Sequence, residues 1–382
     1  MEYTAGELVR LAKRDGNTRR PYLFVNPLQG KHIPADPEAA ERMCRAAAER
    51  LNRAWPEDRL YVIGFAETAT GIAASICSHL NHAVYYQHTT RENSGEDVIH
   101  FSEAHSHATD QMLCTAGIGE ALARTDRIVF IDDEVTTGKT ICGLIDRLSE
   151  RFDTAHLHYT VLSLLNSMSD ERVRELRSRG IDCLCLCRIP YEYEKDSILD
   201  VTGDPDLHIR ISPRETEGAL KAELICRCPV HPSRVVRFQA YERAAAEFAE
   251  EIRRRLLDGT EPVDRVLVLG TEEFMYPTFT VGSMIRRLGY GKTVRIHATS
   301  RSPILASRRD GYPLTVRYQM RSPYDPERCV YVYNLERYDR VILLTDAAEP
   351  AGGIADLTEA LRQAGNREIA LVRWRTDGKE TP

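Results

Sequence analysis

The stretch RIVFIDDEVTTGKT, residues 127–140, contains an apolar run, an acidic pair and a hydroxyl-rich turn, in that order. Ile128 to Ile131 are four consecutive apolar residues with β-branched members, a pattern typical of a strand buried on both faces of a parallel sheet. Ligand crevices form beyond the carboxyl ends of such strands. The stretch therefore predicts a binding site where this strand ends.

The chemistry of the same stretch indicates a sugar phosphate. Hydroxyls and backbone N–H groups of Thr136 to Thr140, at a helix start, can surround a phosphate that the helix dipole also favours. Asp132 and Asp133 would repel that phosphate, whereas paired acceptors match two adjacent ribose hydroxyls. An ordinary strand-to-helix turn with two solvated aspartates is the alternative. A P-loop is excluded, because Asp133 stands where its first glycine is required.

Size and charge limit the protein class. A length of 382 residues suggests two or three domains, and 51 basic against 57 acidic side chains give a net charge of −6. That charge gives no overall attraction to nucleic acid or to an anionic membrane. The first 20 residues lack the apolar segment of a secretory signal, and no stretch approaches a membrane span. We expect a cytoplasmic protein that binds neither nucleic acid nor membrane.

Strand and helix patterns alternate along the chain, which favours an open, mostly parallel sheet with helices on both faces. The strand candidates of the first half are residues 21–26, 60–65, 83–89, 127–131, 156–165 and 182–187, and the helix candidates are residues 37–52, 68–80, 102–124, 139–151 and 170–179. Residues 189–232 are irregular and predict a hood or linker. After a helix at 240–257, a second α/β series has strand candidates at 264–270, 293–300, 329–335, 339–346 and 367–374. The predicted domains are residues 1–232 and residues 233–382.

Two cysteine groups leave metal binding open as a minor alternative. Cys183, Cys185 and Cys187 alternate with leucine, which predicts one face of a strand and packing in the core. Cys226 and Cys228 lie near His231, with a proline turn between them. The first group lacks the turn that lets paired cysteines close around zinc, and the proline turn makes the second group the stronger candidate, but we expect no zinc site in either.

The segment at 127–140 closely resembles the phosphoribosyl pyrophosphate (PRPP) signature of type I phosphoribosyltransferases. The resemblance implies a divergent, orotate phosphoribosyltransferase-like fold in the first domain and the use of PRPP, a nitrogenous base and Mg²⁺. It also implies that Asp132 and Asp133 hold the ribose hydroxyls and contribute to the Mg²⁺ site. The residues implied to surround the 5′-phosphate are Glu134, Val135, Thr136, Thr137, Gly138, Lys139 and Thr140.

Three further segments match parts of that family's site. The loop after the second strand candidate is implied to bind pyrophosphate through Ala66, Glu67, Thr68, Ala69, Thr70 and Gly71, although it also suits a plain helix start. Arg91 matches an arginine that contacts pyrophosphate, and the segment after it matches a lid. The usual lid lysine is missing, because no lysine lies between Arg91 and Arg124. His105 and His107 could replace it or could be ordinary helix-start histidines. Lys31, in a loop with Gly30 and His32, is implied to contact base or phosphate, with a solvated lysine as the alternative.

The second half of the chain resembles the TRSP domain, named for a Thr-Arg-Ser-Pro motif and found after divergent phosphoribosyltransferase domains in gene clusters of the tellurium-resistance type. Ser300 replaces the threonine of the motif here. The second domain is expected to be a smaller, Rossmann-like α/β domain. Two strand ends would converge on a second ligand site. Its candidate residues are Gly270, Thr271, Glu272, Glu273, Thr299, Ser300, Arg301 and Ser302. Arginine flanked by hydroxyls suits a phosphate or carboxylate, and the glutamates suit hydroxyls, a metal or a helix cap.

The sequence thus predicts a PRPP-dependent phosphoribosyltransferase, a pentosyltransferase of nucleotide metabolism, whose second domain processes the ribosyl product. A homodimer and proteins encoded in the same gene cluster are the partners that the resemblance implies. A PRPP- or nucleotide-sensing protein without catalysis is the principal alternative. A hydrolase or phosphorylase acting on a finished nucleotide is the second.

Overall fold

The computed structural model describes residues 2–17, 20–92, 95–102, 110–212, 220–348 and 352–376. The chain divides into two compact units. Unit 1 comprises Met1–Leu8, Glu41–Tyr193 and Val230–Arg243, and unit 2 comprises Val9–Ala40, Glu194–Pro229 and Ala244–Pro382. Residues 9–40 therefore group with the second unit, whereas the sequence pattern assigned them to the first domain.

The secondary structure follows in chain order. The helices are α1 (Ala5–Leu8), α2 (Pro37–Ala54), α3 (Thr70–Cys77), α4 (Ile118–Ala123), α5 (Lys139–Arg151), α6 (Asp170–Ser178), α7 (Phe238–Ile252), α8 (Tyr276–Arg287) and α9 (Gly353–Gln363). The strands are β1 (Arg10–Lys13), β2 (Tyr22–Val25), β3 (Leu60–Gly64), β4 (Ala83–His88), β5 (Val98–Ser102), β6 (Asp110–Cys114), β7 (Arg127–Val135), β8 (His158–Asn166), β9 (Ile181–Arg188), β10 (His208–Arg210), β11 (Ala222–Arg227), β12 (Val236–Arg237), β13 (Val263–Gly270), β14 (Gly291–Ala298), β15 (Arg317–Arg321), β16 (Cys329–Tyr333), β17 (Arg340–Thr345) and β18 (Ile369–Arg375).

Unit 1 is built on a sheet with the order β12-β4-β3-β7-β8-β9, in which all neighbours are parallel except the β12–β4 pair. The expected open parallel sheet with helices is confirmed. The chain runs from β3 to β4 on one side and then returns to β7 on the other. The strand order therefore reverses between β3 and β7, which is where α/β sheets place their ligand crevice.

Strand β7 is longer than its apolar run predicts. Its pairing with β8 continues through Asp132, opposite Ser163, to Val135, opposite Asn166. The acidic pair therefore belongs to the strand rather than to the turn after it. Backbone pairing with β8 extends the strand beyond the apolar run. Polar side chains are tolerated in this extension because the carboxyl end of a parallel sheet borders a crevice.

Two sequence expectations in the first half are wrong. The strand candidate at 21–26 forms β2, which pairs antiparallel with β1 in unit 2 instead of joining the parallel sheet. The long helix expected over 102–124 does not form in the described part of that range, where β6 pairs antiparallel with β5 and only the short α4 is helical. The alternation of buried Ile99 and Phe101 explains the hairpin, because residues two apart share one face of a strand.

Unit 2 contains a parallel sheet with the order β11-β18-β17-β13-β14. Here the chain passes from β13 to β14 on one side and later to β17 on the other, so the order reverses between β13 and β17. Strand β11 lies in the stretch expected to be an irregular hood. The candidate at 329–335 forms β16, which pairs antiparallel with β15 outside the parallel sheet.

The core of unit 2 explains why β16 leaves the parallel sheet. Leu267 of β13 and Leu343 of β17 are fully buried in one apolar cluster with Val330 and Val332 of β16 and Leu357 of α9. The β15–β16 pair therefore packs together with α9 against apolar residues of the parallel sheet.

Among the described residues, no helix combines the length and apolar character that crossing a membrane requires.

Close approach of helix to strand constrains the last residue of β3. A Cβ atom on Gly64 would lie 2.7 Å from the Cβ of Ala73 and 3.2 Å from the carbonyl oxygen of Ala69. Gly270, the last residue of β13, is also confined. A Cβ atom on Gly270 would lie 2.5 Å from the carbonyl oxygen of Phe274. Both glycines let the following loop fold closely over its strand.

We expect Gly64→Val to destabilise the protein by about 1–3 kcal/mol, because overpacking forces the backbone to move. Chemical denaturation measures the change. Gly143→Ala in α5 is the control, since a Cβ there meets no atom within 4 Å, and it should stabilise by about 0.5–1 kcal/mol. Equal stability of Gly64→Val and the parent chain would contradict this account of the packing.

Candidate functional site

The acidic pair lies half-buried at the carboxyl end of β7. Asp132 Oδ1 accepts a hydrogen bond of 2.9 Å from the backbone N–H of Asp133. Asp133 Oδ1 accepts one of 3.0 Å from the N–H of Glu134 and one of 2.9 Å from the hydroxyl of Thr68. These bonds hold the Asp133 carboxylate through one oxygen, Oδ1.

The turn after β7 opens onto α5 through Gly138, whose φ of +63° lies in the left-handed region. The helix has no side-chain cap at this residue. Arg172 of α6 donates from Nε to the carbonyl oxygen of Thr137 at 2.6 Å, which ties the turn to α6. A Cβ on Gly138 would lie 3.2 Å from Leu176 Cδ1. The glycine is therefore required by its φ and by packing on α6, and not only by the ligand approach expected from the sequence.

The loop after β3 contacts both neighbouring strands. Phe65 N–H donates to the carbonyl of Ile131 at 3.0 Å, and Ala66 N–H donates to the hydroxyl of Thr89 at 2.8 Å. The Ala66–Glu67 peptide bond is cis. Tyr86 of β4 donates its hydroxyl to the carbonyl of Thr70 at 2.8 Å, at the first residue of α3. The loop with its Thr68 contact thus meets the acidic pair at the reversal of strand order.

The remaining first-domain candidates fall in three places. Arg91 follows β4 and is half-buried, next to Thr90, whose backbone pairs with Met112 of the β5–β6 hairpin. His105 and His107 lie outside the described residues. Lys31 lies in unit 2, where its fully buried Nζ donates to the carbonyl oxygen of Glu272 at 2.5 Å. Lys31 is therefore neither a solvated loop lysine nor part of unit 1.

The second-domain candidates converge around Glu272, a fully buried residue with φ of +44°. Its Oε2 accepts from Arg301 Nε at 2.5 Å and pairs with an Arg328 nitrogen at 3.3 Å. Its Oε1 accepts from the hydroxyl of Ser322 at 2.5 Å, and its N–H donates to Thr299 Oγ1 at 2.9 Å. The two strand ends named from the sequence are thus joined by ion pairs and hydrogen bonds around Glu272.

Hydroxyl groups form the other side of this cluster. Thr271 donates its hydroxyl to Thr345 Oγ1 at 2.9 Å, which connects the ends of β13 and β17. The hydroxyl of Tyr324 lies 2.7 Å from Thr271 Oγ1 and donates to Asp346 Oδ1 at 2.5 Å. Burial, followed by the charge of Asp346, raises the pKa of Tyr324 well above its usual value, so the phenol stays protonated at neutral pH.

Sequence reasoning missed several residues that complete the two sites. They are Arg172 in unit 1, and Ser322, Tyr324, Arg328 and Asp346 in unit 2. One signal was visible, because the tripeptide Arg-Ser-Pro of residues 301–303 recurs at residues 321–323. The others come from segments that are distant in the sequence and have no motif of their own.

Cysteine metal sites find no support in the described residues, where no group of three or more His, Cys, Asp or Glu side chains could hold a metal. Cys183, Cys185 and Cys187 lie on β9 at the edge of the sheet and are partly buried. Burial raises the pKa of Cys183 to about 11 and raises the pKa of the other two, so all three are thiols at neutral pH.

Comparison with protein families decides the relationship. A family model described as phosphoribosyl transferase (PRTase_2) matches residues 8–188, and one described as the TRSP domain C-terminal to PRTase_2 matches residues 233–361. The first half of the chain thus contains a PRTase_2 domain, and a TRSP domain follows it. The resemblance stated from the sequence is thereby confirmed for both halves, as is a phosphoribosyltransferase-type α/β fold in the first. No curated protein matches the chain.

Solved structures similar to the PRTase_2–TRSP chain include adenine phosphoribosyltransferases. The Trypanosoma brucei enzyme, in complex with AMP, pyrophosphate and ribose 5-phosphate, is 13% identical, with 47% of this chain and 76% of that chain covered and a TM-score of 0.33. The Giardia lamblia enzyme with 9-deazaadenine is 10% identical, with 49% and 97% covered and a TM-score of 0.35. At such TM-scores these likenesses add nothing to the family match.

Gly138→Val should destabilise the protein by about 1–2 kcal/mol, because a β-branched residue is strained at positive φ. Gly138→Asn is the matched variant, since asparagine tolerates the left-handed region and should lose less. Thermal unfolding of both variants tests the requirement. If valine and asparagine cost the same, the contact with Leu176 and not the backbone conformation decides this position.

Proposed function

We propose that the first domain transfers the phosphoribosyl group of PRPP to a nitrogenous base. The observation that carries the proposal is the hydrogen bond from Thr68 to Asp133, because it joins the loop after β3 to the acidic pair where the strand order reverses. The family match to a phosphoribosyl transferase supports the same activity.

Each part of the site has a distinct task in this proposal. Asp132 and Asp133 accept hydrogen bonds from the two ribose hydroxyls, with Asp133 Oδ2 directed to the ligand because Oδ1 is held by Thr68 and Glu134. The N–H groups of the turn from Thr136 to Thr140 bind the 5′-phosphate at the start of α5. Residues 66–71 with Arg91 bind the pyrophosphate.

Mg²⁺ fits this site as a cation carried largely by the substrate. Asp132 and Asp133 are two half-buried carboxylates at the end of β7, and within the described residues no third acidic, histidine or cysteine side chain joins them in a metal-binding group. Mg²⁺ typically takes one or two protein carboxylates and completes its shell with substrate oxygens and water. Bound there, it would offset charge on the departing pyrophosphate.

The reaction breaks the C1–O bond to pyrophosphate and forms a C1–N bond to the base, which gives up a proton. The positive charge that develops at the ribose during bond cleavage needs positioning and electrostatic stabilisation rather than a covalent nucleophile. The carboxylates of Asp132 and Asp133 supply negative charge beside that ribose. Thr89, which accepts from Ala66 and donates to Gln111 at 2.6 Å, positions the pyrophosphate loop.

A sensor that binds PRPP without turnover is the second candidate. It is favoured by the absence of lysine between Arg91 and Arg124, where the family's lid carries one. The described part of that segment is the β5–β6 hairpin, which packs Phe101 edge-on against Phe65 at a centroid distance of 6.0 Å. The hairpin can cover the site by this contact whether or not catalysis follows.

The proposal extends beyond the first domain in four respects. The TRSP domain acts on the ribosyl product, the protein works in the cytoplasm, two copies associate as a homodimer, and partner proteins come from a tellurium-resistance-type gene cluster. The role of the TRSP domain, the homodimer and the gene-cluster partners rest on the family resemblance, whereas the cytoplasmic location rests on the hydropathy pattern of the sequence. Copurification and light scattering of the full chain test the partners and the dimer.

The decisive experiment incubates the protein with PRPP, Mg²⁺ and a panel of purine and pyrimidine bases and measures pyrophosphate release. Base-dependent release supports the transferase. Release that is absent with every base, while calorimetry still detects PRPP binding, supports the sensor. Neither release nor PRPP binding would refute both.

Asp133→Asn should weaken PRPP binding by about 10- to 100-fold, because a charged hydrogen bond to the ribose becomes a neutral one. Isothermal titration calorimetry measures the affinity. Asp153→Asn, an exposed aspartate before β8 at the opposite end of the sheet, is the control and should bind as the parent chain does. Unchanged affinity in Asp133→Asn contradicts the ribose assignment.

Arg172→Met should raise the KM for PRPP by about 10-fold, because the turn loses a charge-assisted hydrogen bond at Thr137. Arg172 is a positioning residue, so kcat should fall less than KM rises. Arg174→Met on the exposed side of α6 is the matched control. An equal effect of the two substitutions would show that α6 acts only through overall stability.

A further inference from the structure

Unit 2 has its own reversal of strand order, and a polar cluster occupies it. The carboxyl ends of β13 and β17 are adjacent, with Gly270 of β13 opposite Leu344 of β17. Thr271 and Thr345 directly follow this pair of residues, and the Thr271 hydroxyl donates a hydrogen bond to Thr345 Oγ1. Open α/β sheets bind ligands at this point of the fold. The cluster therefore occupies the place where a ligand is expected.

The buried carboxylate of Glu272 pairs with two arginines, Arg301 and Arg328, at this point. Glu272 is fully buried, whereas the side chains of Arg301 and Arg328 keep 9% and 19% of their surface exposed. The carboxylate therefore fixes both guanidinium groups, and Arg328 also donates to the hydroxyl of Ser322 at 3.0 Å. Guanidinium groups fixed in this way are suited to bidentate recognition of a phosphate.

Acceptor groups lie beside the arginines. Asp346 is half-buried and accepts from Tyr324, and Glu273 has 11% of its side chain exposed at 3.4 Å from an Arg301 nitrogen. Ionised carboxylates only accept hydrogen bonds and can take several, so they suit the hydroxyl groups of a sugar. The protonated Tyr324 orients the Asp346 carboxylate.

The charges of the cluster balance among the residues that the structure describes there. Three cations, Lys31, Arg301 and Arg328, accompany three acids, Glu272, Glu273 and Asp346. Neighbouring His297 is neutral, since burial lowers its pKa to about 4. A balanced site gives little net attraction to a bare anion. It favours a ligand that carries both an anionic group and hydroxyl groups.

We propose that unit 2 binds a phosphorylated sugar at this cluster, with the phosphate on Arg301 and Arg328 and sugar hydroxyls on Asp346 and Glu273. The choice of a sugar phosphate over another hydroxylated anion rests on the proposed function, because the first domain would supply a ribose 5-phosphate derivative. The existence of the site rests only on the contacts within unit 2.

The test uses ribose 5-phosphate as the probe and the full chain as the protein. An Asp132→Asn/Asp133→Asn double variant weakens the ribose site proposed for unit 1, and calorimetry on that background reports the site in unit 2. We expect one ribose 5-phosphate per chain to remain. Adding Arg328→Gln should weaken this binding at least 10-fold, whereas Arg340→Gln should leave it unchanged. Arg340 is the matched control, since it is also half-buried but lies at the amino end of β17.

Arg328→Gln preserves two partners of Glu272, Arg301 and Ser322, so the buried carboxylate is not left alone. Should thermal unfolding show a loss of structure, Arg328→Lys carries the test, and it should bind more weakly than the parent through loss of the fork. Loss of all binding in the Asp132/Asp133 background, or binding that ignores both Arg328 variants, would overturn the proposal.

Two further probes separate the parts of the proposal. Ribose 5-phosphate should bind more tightly than inorganic phosphate or ribose alone, and equal affinity for inorganic phosphate would overturn the sugar contacts. The two proposals can also fail separately. Absence of PRPP binding in the parent chain, with the Arg328-dependent site intact, refutes only the function proposed for unit 1. The reverse result refutes only the site in unit 2.

Discussion

The constraint behind both candidate sites is the reversal of strand order in a parallel sheet. Where the chain first turns to one side and then to the other, two strand-end loops separate and leave a crevice. In unit 1 this point lies between β3 and β7, where the hydrogen bond from Thr68 to Asp133 joins the loop after β3 to the end of β7. In unit 2 it lies between β13 and β17, and the bond from Thr271 to Thr345 has the same place.

The two units use this constraint with opposite chemistry. In unit 1 the strand end carries carboxylates whose backbone and hydroxyl partners hold them at the crevice, and the proposed phosphate site consists of backbone N–H groups at a helix start. In unit 2 the carboxylate of Glu272, which follows the end of β13, forms ion pairs with Arg301 and Arg328. The last residue of β3 and of β13 is a glycine, because the segment that follows each strand folds back too closely to leave room for a Cβ.

The acidic pair could be found from the sequence because a local pattern carries it. Strand, carboxylates and turn are contiguous, so short-range rules of backbone and side-chain chemistry apply. The extension of β7 through Val135 could not be read in this way, because it depends on pairing with β8. The helix expected over 102–124 failed for a similar reason. Cross-strand pairing of β5 with β6 overrode a helical spacing that polar residues made ambiguous.

The sequence by itself determined the alternation of strands and helices, the position of the acidic pair and turn, and the two strand ends of the second domain. Only the tertiary structure placed Lys31 against Glu272, 241 residues away, and grouped residues 9–40 with unit 2. It alone brought Tyr324, Arg328 and Asp346 into one cluster. Periodicity specifies which face of an element is buried, but not which distant element covers it, because that choice is made by packing between segments that have no fixed separation along the chain.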